Sequence, residues 1–149
     1  MKFSESDIQH YFPDFISESL SFDKEEYFQQ EHFNRPQNEE SLASLVGKKT
    51  VFESLVLFWI KAYQKVLIWE EIIEEWETFT PAMFVVYAKK TSGEVFLRSI
   101  NDVFKNLPHP PDLISPPFKA YQLKDEWDSR IYLLENEEKY QLVYWDTTA

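Results

Sequence analysis

The sequence predicts an α+β fold in which N-terminal helices and one long central helix pack on a small antiparallel sheet of two hairpins. Three observations support this fold class. Apolar residues recur at helical spacing in the first half of the chain, they alternate at strand spacing in the second half, and Pro81 lies where the period changes. The 149 residues are expected to form a single domain, residues 1–149.

Two short helices are predicted near the N-terminus. The first covers residues 6–20, with Ser6 as its N-cap and with Pro13 either kinking or splitting it. Apolar residues spaced at three, one, three, one and four form one stripe along it. The second covers residues 23–32, where two aromatic residues fit a strand equally well.

A third short helix and then the long central helix are predicted next. The third covers residues 38–46 and ends at Gly47, in the position after a helix that favours glycine. Thr50 and Glu53 have the spacing of a capping box, so the central helix is expected to span residues 50–77. Its buried stripe consists of Phe52, Leu55, Trp59, Ala62, Val66, Trp69, Ile73 and Trp76. A second apolar row predicts burial nearly all round over its first two-thirds.

Two hairpins are predicted after Pro81. The first pairs residues 83–87 with residues 94–97, through a loop in which Gly93 can take a positive φ. A short helix over residues 99–107 follows it. The second hairpin pairs residues 131–134 with residues 140–144.

The segment between these hairpins, residues 108–117, contains five of the eight prolines and is predicted to be an extended loop. Two interpretations remain open for it. It can be a stiff crossover that carries the chain to the last strands, with its apolar residues tucked under it. It can also be a preformed polyproline ligand for the aromatic groove of a partner.

Several kinds of chemistry have no support in the sequence. There is no cysteine, and His10, His32 and His109 lie on different elements without metal-ligand spacing, so no metal is predicted. With two glycines, the chain has no material for a phosphate-binding glycine-rich loop, and no cofactor is predicted. No nucleophile motif is present, so the sequence favours a binding module over an enzyme.

The charge distribution also limits the partners. The net charge is −11 and the basic residues are scattered, which argues against nucleic-acid binding. The longest apolar run, residues 55–60, is far shorter than the ~20 residues of a membrane span. Because the first residues include acidic ones where a signal peptide needs an apolar stretch, a cytoplasmic location is expected.

Two acidic stretches are the predicted partner-binding residues. They are Glu70, Glu71, Glu74, Glu75 and Glu77 at the end of the central helix, and Asp125, Glu126, Trp127 and Asp128. Like charges four residues apart and anions at a helix C-terminus both destabilise a helix, and such local conflicts are typical of functional surfaces. The alternatives are a solvated face for the glutamates and an ordinary exposed loop for the second stretch.

The sequence therefore predicts an acidic protein-binding module. We expect an inhibitor or immunity-type protein that neutralises a basic partner, such as a toxin, through electrostatic and aromatic contacts. A chaperone for a secreted effector belongs to the same class, and a homodimer remains open. The alternative is a small enzyme or ligand-binding domain with an aromatic-lined pocket. A continuous acidic face over residues 70–77 and 125–138 would favour the first interpretation.

Overall fold

The computed structural model of the protein describes residues 2–17, 28–31, 40–69, 80–105 and 110–147. In chain order its elements are β1 (Lys2–Phe3), α1 (Glu5–Ser17), β2 (Phe28–Glu31), β3 (Glu40–Lys48), α2 (Leu55–Trp69), a 3-10 helix (Pro81–Phe84), β4 (Val86–Tyr87), β5 (Lys89–Thr91), α3 (Gly93–Phe104), β6 (Lys119–Glu126), β7 (Ser129–Glu135) and β8 (Lys139–Thr147). The α+β class is confirmed.

Six strands form one antiparallel sheet in the order β2-β3-β8-β7-β6-β5, and β1 pairs separately with β4. The predicted hairpin of residues 131–134 and 140–144 is confirmed as the pair β7–β8. Strand β7 pairs with β6 on its other edge, so two successive hairpins share this strand.

Both faces of the sheet are covered, whereas the sequence predicted helices on one face. Helix α2 packs on one face with Ile131 and Leu133, and α1 packs against α2. Helix α3 and the proline-rich segment cover the other face, which carries Tyr132 and Leu134. Burial on both faces explains why residues 131–134 are all apolar instead of alternating with polar ones.

Helix α1 begins one residue before the predicted cap. Ser4, not Ser6, is the N-cap: its Oγ accepts from the Asp7 backbone N–H, and the Asp7 carboxylate accepts from the Ser4 N–H at 3.0 Å. These hydrogen bonds to the ionised carboxylate, the one from the Ser4 hydroxyl first, lower the pKa of Asp7. The helix continues through Pro13 to Ser17, and residues 18–20 lie outside the described residues.

Two of the predicted short helices are strands where the structure describes them. Residues 28–31 form β2, with residues 23–27 and residue 32 outside the described part. Residues 40–48 form β3, which pairs with β8 along its whole length, so the prediction of a helix over residues 38–46 is wrong. Gly47 does not follow a helix. It lies within β3 without a positive φ, and a Cβ there would be 2.4 Å from Phe52 Cε2.

Helix α2 begins at Leu55, so the predicted capping box at Thr50 is wrong. The Ser54 side chain caps the helix by accepting from the Leu57 N–H at 3.2 Å, and residues 48–52 form a turn instead. The stripe prediction holds within the described helix, where Leu55, Trp59, Ala62 and Val66 are buried. The predicted continuation over residues 70–77 lies outside the described residues.

The predicted first hairpin is wrong. Strand β4 pairs with β1, strand β5 pairs with β6, and residues 93–104 form α3. Ser92 caps this helix by accepting from the Val95 N–H at 3.1 Å, and Gly93 is a helical residue without a positive φ. Phe96, Ile100 and Val103 form its buried stripe, so the helix covers residues that the sequence analysis assigned to a strand.

The described part of the proline-rich segment crosses from α3 to β6 and is attached to the sheet. The fully buried Gln141 accepts from the Ile114 N–H at 2.9 Å and donates to the Asp112 carbonyl at 3.0 Å. Ile114 is buried, and Ser115 accepts from the Asn136 side chain. These contacts fit the crossover interpretation of this segment.

Candidate functional site

The predicted residues Asp125, Glu126, Trp127 and Asp128 lie together at the β6–β7 turn, and we call them the acidic tip. Glu126 pairs with Ser129, so the turn itself consists of Trp127 and Asp128. The Trp127 side chain is 74% exposed, the highest value for a large apolar residue among the described residues. The tip therefore presents an indole between carboxylates.

A β-bulge determines which charges face each other below the tip. Strand β6 contains one extra residue between Gln122 and Lys124, so that Asp125 pairs with Arg130. If the same residues paired regularly from Gln122 onward, Lys124 would lie opposite Arg130 and two like charges would be neighbours. Like charges directly opposite each other destabilise a strand pair. The bulge therefore places an acid beside Arg130.

Arg130 connects the base of the tip to three other elements. Its guanidinium donates to the Ser99 carbonyl of α3 at 2.9 Å, and its Cζ lies 5.4 Å from the ring centroid of Trp145 on β8. Its Nε lies 3.6 Å from Asp125 Oδ1 on β6. Tyr132, on the same face, donates its hydroxyl to Ser99 Oγ at 2.8 Å. Burial raises the pKa of Tyr132, so this hydroxyl stays a donor at neutral pH.

Buried polar atoms without a hydrogen-bond partner are concentrated in the same place. Among the described residues these atoms are Asp128 Oδ1, Ser129 Oγ, Arg130 Nε, Trp145 Nε1 and the two amide atoms of Gln64. Buried polar side-chain atoms in folded proteins are paired in the large majority of cases. The base of the acidic tip thus contains more buried polar atoms without a hydrogen-bond partner than the rest of the described interior.

The described end of α2 lies at the same end of the sheet as the acidic tip. Phe58 contacts Tyr140 and Tyr63 contacts Tyr144, so α2 runs in the direction of β8. From Tyr63 the helix advances about 9 Å to its last described residue. Strand β8 extends about 10 Å beyond Tyr144 in the same direction, and its Asp146 pairs with Ser129 at the start of β7. The predicted glutamates, residues 70–77, follow in the sequence but lie outside the described residues.

The remaining acidic residues of the last hairpin are at the opposite end of the sheet. Glu135 is separated from Ser129 by the length of β7, about 20 Å. It accepts from Lys49 Nζ at 2.6 Å, and Lys49 Nζ lies 5.2 Å from the ring centroid of Tyr140. Residues 125–138 therefore do not form the continuous acidic face that the first interpretation anticipated.

Two tyrosines beside this ion pair have perturbed acidities. Burial and the Glu135 carboxylate raise the pKa of both Tyr121 and Tyr140. Both rings are buried in the core under α1 and α2. Their role is therefore packing, and they add no neutral-pH charge to this end.

Five polar or charged side chains are buried in the described interior. Its buried polar side chains are Ser44, Lys61, Gln64, Ser129 and Gln141. No group of three or more metal-ligating side chains occurs among the described residues. The aromatic rings of the long helix pack against one another, as in the stacked pair Trp59 and Tyr63 with centroids 4.5 Å apart.

Within the described ranges, every helix is too short or too polar to cross a membrane. The sequence matches no protein-family model and no curated protein, and the structure matches no solved structure.

Proposed function

We propose that this chain is an acidic protein-binding module of the inhibitor or immunity type, which neutralises a basic protein partner such as a toxin. The acidic tip supplies the contact surface, and Trp127 is its anchor. The exposure of this indole is the observation that carries the proposal.

The position of Trp127 has no explanation in turn chemistry. Two-residue hairpin turns favour glycine, asparagine and aspartate, because the backbone of these turns takes positive φ values. An indole at this position exposes a large apolar surface to solvent and does not contribute to the core. Residues that violate a local rule without a local benefit are typical of functional sites, and tryptophan is enriched at interface hot spots.

The charges around Trp127 indicate the sign of the partner. Asp125, Glu126 and Asp128 flank Trp127 in the sequence, and the nearby cations are only loosely paired with the first two. Lys124 Nζ lies 3.7 Å from Glu126 Oε2, with both side chains largely exposed. Such surface pairs contribute little, so the acidic residues remain available to a basic partner. The net charge of −11 would also speed the encounter by steering.

The glutamate cluster is the second part of the proposed surface. It follows α2 in the sequence, and the described part of α2 ends at the end of the sheet that carries the acidic tip. We propose that a partner which binds the acidic tip also contacts these glutamates.

A basic probe peptide tests the proposal. We expect deca-arginine to bind the protein at low ionic strength, and W127A to weaken this binding about tenfold, as loss of a hot-spot aromatic does. Y87A is the matched control, because Tyr87 is 66% exposed but lies on β4 outside the tip. Isothermal titration calorimetry measures both. Equal affinities for W127A and the parent protein would contradict the proposal.

The glutamate cluster requires its own variant. Reversal of Glu71, Glu74 and Glu75 to lysine is expected to leave the fold intact and to weaken capture of the probe, most visibly at low salt. Circular dichroism checks the fold in the same samples. Unchanged capture at low salt would exclude this cluster from the binding surface.

A further inference from the structure

We propose that Arg130 is the positioning residue of the acidic tip, which holds Trp127 in a fixed orientation for the partner. This inference rests on the proposed function and adds a residue that the sequence analysis did not select. Arg130 does not belong to the turn. It lies on β7, one residue beyond Ser129.

The contacts of Arg130 join every element that meets at the base of the tip. The guanidinium holds α3 through the Ser99 carbonyl, β8 through the Trp145 ring, and β6 through the Asp125 carboxylate. A planar guanidinium can make these contacts at once, since it stacks and donates in fixed directions. The hairpin that carries Trp127 is thereby attached to a helix and to two neighbouring strands.

The location of Arg130 explains why its effect reaches the indole. It pairs with Asp125, and only the pair Glu126 and Ser129 lies between this pair and the two-residue turn that contains Trp127. Three buried atoms there, Trp145 Nε1, Ser129 Oγ and Asp128 Oδ1, have no hydrogen-bond partner. Beside the backbone pairing of β7 with β6 and β8, few side-chain contacts therefore fix the hairpin base, so the contacts of Arg130 matter for its order.

The positioning role and simple electrostatics predict opposite changes in affinity for a basic partner when the Arg130 side chain is removed. Its charge is positive, so removal of the side chain makes the tip more negative and, by charge alone, more attractive to a basic partner. Loss of the fixed orientation acts the other way, because the partner must then order Trp127 on binding. The side chain is 23% exposed and already engaged, which leaves little of it to contact the partner.

The experiment uses R130K, R130M and S99A with deca-arginine as the probe. R130K keeps the charge and loses the planar fork, whereas R130M loses both. S99A is the matched control, since it removes the hydroxyl partner of Tyr132 but keeps the carbonyl that Arg130 binds. We expect R130K and R130M to bind roughly three- to tenfold more weakly than the parent protein, and S99A to stay within about twofold.

A second readout does not depend on any partner. The heteronuclear ¹⁵N NOE of the Trp127 indole, assigned with W127F, is expected to fall in R130K and R130M and to stay unchanged in S99A. R130K keeps this test available if R130M does not fold.

The outcomes separate the two proposals. Equal or tighter probe binding by R130K and R130M, or an unchanged indole NOE, would overturn the positioning role of Arg130 and leave the proposed function standing. Equal probe binding by the parent protein and W127A would instead overturn the proposed function. The indole NOE would then still decide whether Arg130 orders the tip.

Discussion

The two turns at the ends of β7 differ in how completely their polar groups are satisfied. At the β7–β8 turn, Asn136 Oδ1 accepts from the N–H groups of Glu138 and Lys139, and its amide donates to Ser115. Lys49 and Glu135 form a close ion pair beside it. At the β6–β7 turn, the indole is exposed and the atoms below it include several without partners. We call the end of the sheet with the β7–β8 turn the closed end, and the end with the β6–β7 turn the open end.

Under the proposed function, this difference separates residues that stabilise the fold from residues that contact a partner. Both turns are acidic, and composition alone does not distinguish them. At the closed end, the polar side chains form hydrogen bonds with the backbone of their own turn and with the proline-rich segment. These bonds stabilise the fold. The open end exposes its indole and the carboxylates of Asp125 and Glu126, and it leaves buried atoms unpaired, which fits the proposed contact with a partner. Substitutions at the two ends should therefore change different measurements.

The largest expected effect is at Gly47, on β3 at the closed end. In G47A the new Cβ would lie 2.4 Å from Phe52 Cε2 and 3.0 Å from Phe58 Cε2, so both rings must move. We expect a loss of about 2–3 kcal/mol in the free energy of unfolding, as for other overpacked cores. Chemical denaturation measures it. G93A is the control, since its Cβ would be an ordinary 3.7 Å from Phe118, and an equal loss there would contradict the argument.

An intermediate effect is expected at Asn136. N136A removes the acceptor of two backbone N–H groups at 2.9 and 2.7 Å and the donor to the Ser115 carbonyl. These groups are part-exposed and water replaces some of the lost bonds, so we expect a loss of about 1–2 kcal/mol. N136D keeps the acceptor and should lose less. A thermal melt that ranks N136D below N136A would refute this account of the closed end.

The smallest effect on stability is expected at the open end. S129A removes a buried hydroxyl that has no partner, so we expect the free energy of unfolding to stay within about 0.5 kcal/mol or to rise slightly. S44A is the matched control, because the buried Ser44 Oγ accepts from Gln141 Nε2 at 2.8 Å, and its loss leaves one of the two N–H groups of this amide without a partner. If urea titration shows that S129A lowers the free energy of unfolding as much as S44A does, the polar groups of the open end are as completely hydrogen-bonded as those of the closed end.

The sequence was sufficient for features that depend on local pattern. The stripe of α2 follows from spacing alone, and the hairpin β7–β8 follows from two apolar runs separated by turn residues. The placement of Asp128 in a turn also agrees with the turn propensity of aspartate. For these features, local preference and tertiary packing favour the same structure.

The sequence failed where tertiary pairing overrides local preference. Residues 40–46 contain good helix formers, yet they form β3 because the neighbouring strand β8 pairs with them along its full length. Gly47 was interpreted as a helix end, but its missing side chain makes room for two phenylalanine rings. Neither the pairing partner nor the packed rings can be identified from the residues around position 47.

The binding role of the acidic tip stays a prediction, but its exposed turn was expected from its charged residues. The contacts of Arg130 were not expected. An arginine directly before the apolar run of β7 was the available signal, but its meaning depends on strand register. The bulge in β6 decides that Asp125 faces it, and helix α3 supplies Ser99 from a distant part of the chain.

The extra residue in β6 has a consequence for how the tip could vary. If one residue between Gln122 and Asp125 were deleted, regular pairing from Gln122 would still bring Asp125 opposite Arg130, because the deletion would remove the bulge and not shift the turn. Strand β6 can therefore change in length by one residue at this point while the charge pair below the turn is kept. A single-codon deletion here would alter the local twist of the strand and leave the residues of the tip in register.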